Sequence, residues 1–66
     1  MYILVAQRKN GSELFYYTGK AGYSYVSSNI KEAFTYSERP EWKCKWFNDF
    51  GSLTQFNWSI KELVEG

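Results

Sequence analysis

Apolar residues fill nearly every position from Tyr2 to Ala6 and again from Leu14 to Tyr17, and a polar stretch centred on Asn10-Gly11 separates the two runs. Both runs are rich in β-branched and aromatic residues, and Asn-Gly supplies the two residues that tolerate positive φ in a type I′ hairpin turn. The pattern predicts an N-terminal hairpin over residues 2–18, with strands at about 2–9 and 12–18. A two-residue turn opposes Arg8 with Glu13, Gln7 with Leu14, Ala6 with Phe15 and Val5 with Tyr16. This register sorts the side chains into two faces. Ile3, Val5, Leu14 and Tyr16 share one, and Leu4, Ala6, Phe15 and Tyr17 share the other. Neither face is polar, so either both are covered or one awaits a partner.

Further along, "GKAG" at 19–22 reads as a flexible connection, and "YSYVS" at 23–27 alternates Tyr23 and Tyr25 against Ser24 and Val26 as a third strand would. Asn29 stands three residues before Glu32, the spacing of a capping box, which predicts one short helical turn over 30–34. Near the C-terminal end Thr54, Phe56, Trp58 and Ile60 alternate with Gln55, Asn57, Ser59 and Lys61, the pattern of a half-buried strand within 53–64.

The segment "EWKCKWF", residues 41–47, fits two periods. As a strand it sets Trp42, Cys44 and Trp46 against Lys43 and Lys45. As a helix it stacks Trp42, Trp46 and Phe50 at four-residue spacing with Phe47 beside them, and places Glu41, Lys45 and Asn48 opposite. The flanks favour the helix: Ser37 is a good N-cap, Glu38 an acid in the first turn, Pro40 is tolerated there, and Gly51 follows as a stop. A helix near 38–50 is therefore expected, with its aromatic stripe on one sheet face and the Lys43 stem at the edge of that stripe. The expected fold class is α+β: a small antiparallel sheet of three to four strands with one helix packed on one face. At 66 residues the chain makes a single domain, 1–66.

Composition sharpens the picture. Fourteen aromatic rings in so short a chain exceed what a small core hides, so some are expected at the surface or in an interface. A net charge of +1, without a like-charge block, argues against a dedicated nucleic-acid binder. The single cysteine, Cys44, makes no internal disulfide, and no charged region precedes an apolar run as in a secretory signal, so a reducing cytoplasmic setting is expected. The longest apolar run is far short of the roughly 20 residues that span a bilayer, and no membrane role is expected.

Chemistry offers little. The chain has no histidine, the commonest general base and metal ligand. Cys44 has no imidazole to activate it, and one thiol does not build a zinc site, so it reads as a thiol on the buried flank of the helix. No carboxylate pair suggests acid–base work, and Gly19-Lys20-Ala21-Gly22 lacks the spacing of a phosphate-binding loop. No catalytic residue, metal or cofactor is expected, and the protein reads as non-enzymatic. The candidate binding residues are Tyr16, Tyr17, Tyr23 and Tyr25 with the nearby cations Arg8 and Lys20. Tyrosine and tryptophan are enriched in interface hot spots, which favours a protein partner for this surface. The alternative is stacking on single-stranded nucleic acid, and a symmetric homodimer would use the same surface physics.

The overall plan comprises a short "MYILV" start, an aromatic hairpin, an "EAFTYSE" step into a capped helix and an alternating C-terminal strand. In that plan the chain resembles small accessory proteins encoded by bacteriophages. The resemblance implies a binder that inhibits a host or bacterial defence protein, and carries over no functional residue.

Overall fold

In a computed structural model, which describes residues 1–50 and 54–64, the chain forms one four-stranded antiparallel sheet and one α-helix, an α+β fold. The elements are β1 (Tyr2–Arg8), β2 (Leu14–Tyr17), β3 (Val26–Ser27), α1 (Glu41–Asp49) and β4 (Phe56–Glu62). Short 3-10 turns at Gly22–Tyr25 and Ile30–Glu32 precede and follow β3. The sheet order is β3-β2-β1-β4, which puts the most apolar strand, β1, at the centre.

The hairpin register is the expected one, with Val5 opposite Tyr16, Ala6 opposite Phe15 and Gln7 opposite Leu14. Its turn is not. Neither Asn10 nor Gly11 has positive φ, so no type I′ turn forms. Instead the Gly11 N–H donates to the Arg8 carbonyl at 3.3 Å, and the ladder ends where the Arg8 N–H donates to the Glu13 carbonyl. A four-residue loop spans the same two strand ends without a left-handed residue, as longer hairpin loops built on a simple β-turn do. Arg8 also pairs with Glu13 through side chains at 3.4 Å, and its guanidinium lies over the Phe15 ring.

The third strand is shorter than the alternation suggests. Residues 22–25 form a 3-10 turn, and Val26–Ser27 alone pairs with β2, opposite Tyr17 and Tyr16. The cause lies in the connection from β2. Gly19 and Gly22 take φ of 79° and 69°, and the Thr18 N–H donates to the Tyr25 carbonyl, so the chain is folded back tightly before it reaches the register. Asn29 does cap the next turn, accepting from the Lys31 N–H at 3.0 Å, but that turn is a 3-10 turn limited to Ile30–Glu32.

Residues 34–36 then rejoin the sheet. The Phe34 N–H donates to the Tyr17 carbonyl, and Tyr36 exchanges two backbone hydrogen bonds with Tyr2, so this segment takes the place beside β1 that β2 vacates. Phe34 lies directly on Gly19, where an added Cβ would meet the ring at 2.5 Å.

Helix α1 begins at Glu41, later than the expected residue 38, and Ser37 does not cap it. Pro40 occupies the N-cap position. The residue before a proline is driven out of the α region by the pyrrolidine ring, so Arg39 cannot be helical and the helix cannot start at Ser37. Arg39 instead pairs with Glu41 at 3.0 Å, and Glu41 sits at the positive end of the helix dipole. The helix ends at Asp49 with Phe50 extended; the expected stop at Gly51 lies outside the described residues.

The helix covers the face that carries Leu4, Ala6, Phe56 and Trp58, all buried, with Phe15, Tyr17, Val26 and Ile60 around them. Strand β4 keeps the expected alternation, Phe56 and Trp58 inside and Asn57 and Ser59 outside. Asn48 fastens the helix to this strand: its side-chain oxygen accepts from the Trp58 N–H at 2.9 Å and its amide donates to the Trp58 carbonyl at 3.2 Å. On the second face Ile3 is fully buried and Val5 is 7% exposed, flanked in register by Lys61, Ser59 and Tyr16. The aliphatic centre of that face is thus closed by the chain itself, and it leaves only Leu14 as a large exposed apolar side chain among those residues.

The two glycines next to turns differ in kind, which thermal unfolding will reveal. Gly19→Ala forces a side chain into both the left-handed region and the Phe34 ring and should cost about 1–3 kcal/mol or more. Gly11→Ala has open space and ordinary φ, so it should be neutral or raise stability by about 0.4–1 kcal/mol. A large loss at Gly11 would restore the type I′ turn.

Candidate functional site: an aromatic helix face

The side of α1 that meets the sheet is not the aromatic stripe. Phe47 enters the core, 3% exposed, with its ring 5.0 Å from Tyr17 and 4.8 Å from Trp58 in edge-to-face contacts. Cys44, one turn earlier, is half-buried beside it. Lys43 lays its stem over the same cluster, with Nζ 5.9 Å from the Tyr17 ring centre and 5.8 Å from that of Phe47. These contacts fit the way long cationic side chains cover apolar surface and sit on ring faces.

Trp42, Trp46 and Phe50 therefore face outward, which corrects the expectation that they cover the sheet. They are 76%, 42% and 54% exposed. Trp46 and Phe50 stack at 5.4 Å with planes 29° apart. With Lys45 and Asp49 the three rings line a shallow groove of about 220 Å³. Volume explains the reversal. The inner sheet face already carries Phe15, Tyr17, Phe56 and Trp58, and what remains accommodates one further ring and a small thiol rather than three large rings.

The six residues expected to form a binding surface do not come together on one face. Tyr17 and Tyr25 pack against the helix-side core. Tyr25 also accepts a hydrogen bond from the Gln55 amide through its hydroxyl, at 3.4 Å. Tyr16 points to the second face in register with Val5 and Ser27. Arg8 is engaged with Glu13 and Phe15, and Lys20 is exposed on the loop after β2. The Tyr23 side chain lies outside the described residues. The residues that sequence reasoning passed over are Trp42, Trp46 and Phe50. The available signal was the adjacent narrower stripe, Lys43, Cys44 and Phe47, whose smaller bulk suits a crowded sheet.

Electrostatics adds one constraint. Burial pushes the Cys44 thiol above its usual range, and the nearby Arg39 guanidinium offsets only part of that. Burial likewise raises the Tyr36 hydroxyl, with the Tyr17 hydroxyl adding to the effect. The thiol is thus protonated and poorly nucleophilic at neutral pH. Among the described residues no group of three acidic or cysteine side chains is placed to hold a metal, and no helix is long and apolar enough to cross a membrane.

Comparison of the chain with protein-family models, curated proteins and solved structures finds no match. The class is therefore defined by the molecule itself: an α+β sheet with a helix whose aromatic stripe faces solvent.

Alkylation of Cys44 checks the electrostatics. In the folded protein its rate should begin to rise at higher pH than in the urea-unfolded chain, because the folded state holds the thiol proton more tightly. By the same sign, this group's contribution to stability is complete below the unfolded thiol pKa and is lost as pH rises through the folded one. Coincident profiles would place Cys44 in free solvent.

Proposed function

We propose that the protein is a small non-enzymatic binding module that docks on a protein partner through the outer face of α1. The partner class suggested by the resemblance to bacteriophage accessory proteins is a host or bacterial defence protein, which docking would inhibit. The observation that carries the reading is the exposure of Trp42, Trp46 and Phe50 along one helix face while the same helix buries Phe47. Leaving three large rings in water forgoes their burial energy, and such a contiguous apolar patch marks an interaction site.

The geometry suits a known recognition mode, in which an amphipathic helix presents anchors one turn apart to a hydrophobic groove. Tryptophan anchors are also the commonest hot spots. The face carries Lys45 and Asp49 together, so it lacks the strong positive footprint that binding to a nucleic-acid backbone uses. Neither the raised thiol nor the histidine-free composition supplies a general base.

Affinity capture from a bacterial lysate with mass spectrometry tests the reading. Trp42→Ala with Phe50→Ala should weaken capture of the bound protein by at least about thirty-fold, the effect of losing roughly 2 kcal/mol or more at a hot spot. The thermal midpoint should stay near that of the parent chain, because both rings are exposed. Phe47→Ala is the contrast: it should cost about 3–5 kcal/mol of stability. Undiminished capture by the double variant would remove the helix face as the site.

A further inference from the structure

The outer face of α1 carries a symmetric pattern of rings. Its rings recur at positions 42, 46 and 50, the last at the C-cap, so the stripe reads the same from either end about Trp46: one large ring, three residues, a second, three residues, a third. Lys45 and Asp49 lie together on one flank of the stripe and line the same groove. Both charges are free: although they are four residues apart on one helix, neither makes an ion pair among the described residues, whereas Glu41 on the same helix is held by Arg39. Lysine N-terminal to an acid is the poorer orientation for pairing within a helix.

Two helices packed antiparallel about a two-fold axis bring the same flank of each face to face, and a two-fold interface is a surface that matches itself. With the axis at Trp46, that residue meets its own copy, Trp42 meets Phe50 of the second copy, and Lys45 lies within reach of Asp49 of the second copy. The reciprocal contacts follow by symmetry. The other flank carries Lys43, already engaged with Tyr17 and Phe47.

We infer that in the free protein the aromatic face of α1 is covered by a second copy of this chain, as a symmetric antiparallel helix pair with two intermolecular Lys45–Asp49 ion pairs. The inference rests on the reading of this face as a docking surface and names its occupant when no other protein is bound. The three rings expose roughly 350 Å² per copy if a whole ring side chain offers about 200 Å², well below the about 800 Å² per partner of a standard interface. The dimer is consequently weak and exchanges readily, which leaves the face accessible to a competing protein.

Sedimentation or light scattering of the full chain from micromolar to millimolar concentration tests this, and the mass should rise from one chain to two across the series. Lys45→Asp and Asp49→Lys each set like charges against each other at two places and should each move the transition to at least about ten-fold higher concentration. The double variant restores opposite charges across the axis and should bring the transition back. Thermal midpoints taken at the lowest concentration should stay near that of the parent chain in all three, since both side chains are exposed, with Asp49→Lys shifted slightly upward as a cation at the helix C-terminus. A chain that is monomeric throughout overturns the inference, as does a double variant no better than the single ones. Neither result bears on lysate capture, and loss of the capture effect in the Trp42 and Phe50 variants would leave the mass measurements standing.

Discussion

One phenyl ring is the buried link between the two layers of this protein. Phe47 sits between Tyr17 and Trp58, and it is the side chain of α1 that the core closes over. Once it is seated, the side of the helix that meets the sheet is set. Residues 42, 46 and 50 are carried round to the solvent side, Lys43 and Cys44 are brought over the sheet, and Asn48 reaches the backbone of β4. The exposed aromatic face is thus a consequence of how little room four sheet aromatics leave beneath the helix. In a chain this short the core cannot grow to absorb the surplus rings.

Much of the architecture was legible in the amino-acid sequence, for a physical reason. Strand alternation is a two-residue signal that a sheet enforces directly, so the register of Val5 with Tyr16 and the inward setting of Phe56 and Trp58 follow from pattern. Turn conformation depends on closure at both ends, and Asn10-Gly11 sits in a loop that does not need left-handed residues. The Tyr23–Ser27 alternation reads as a strand, but the chain folded back by the Thr18 to Tyr25 hydrogen bond forms a 3-10 turn over Gly22–Tyr25 and leaves Val26–Ser27 to pair. At Ser37 two sequence rules compete, and the steric rule at Arg39-Pro40 outweighs the favourable capping residue.

The candidate site was harder to read, because a helix of nine residues with five bulky or amphipathic side chains has more than one inner face open to it. The widest apolar stripe is usually the buried one. Here the narrower stripe is buried, because the space available is set by residues far away in sequence: Phe15 and Tyr17 on β2, Phe56 and Trp58 on β4. Periodicity within α1 carries no information about that space. The same long-range constraint divides the tyrosines, placing Tyr17 and Tyr25 with the core and Tyr16 on the second face.

The two hydrogen bonds from Asn48 to Trp58 have an effect beyond anchoring the helix. Strand β4 is an edge of the sheet, and an unpaired edge invites another chain to extend the ladder. A primary amide offers one acceptor and one donor in the arrangement of a neighbouring peptide group, so at Trp58 β4 is already paired with a counterfeit strand one residue long. Open-ended sheet growth, the route to fibrils, is interrupted there. The molecule therefore exposes its surplus rings on a helix, while the backbone of this strand edge is occupied at Trp58.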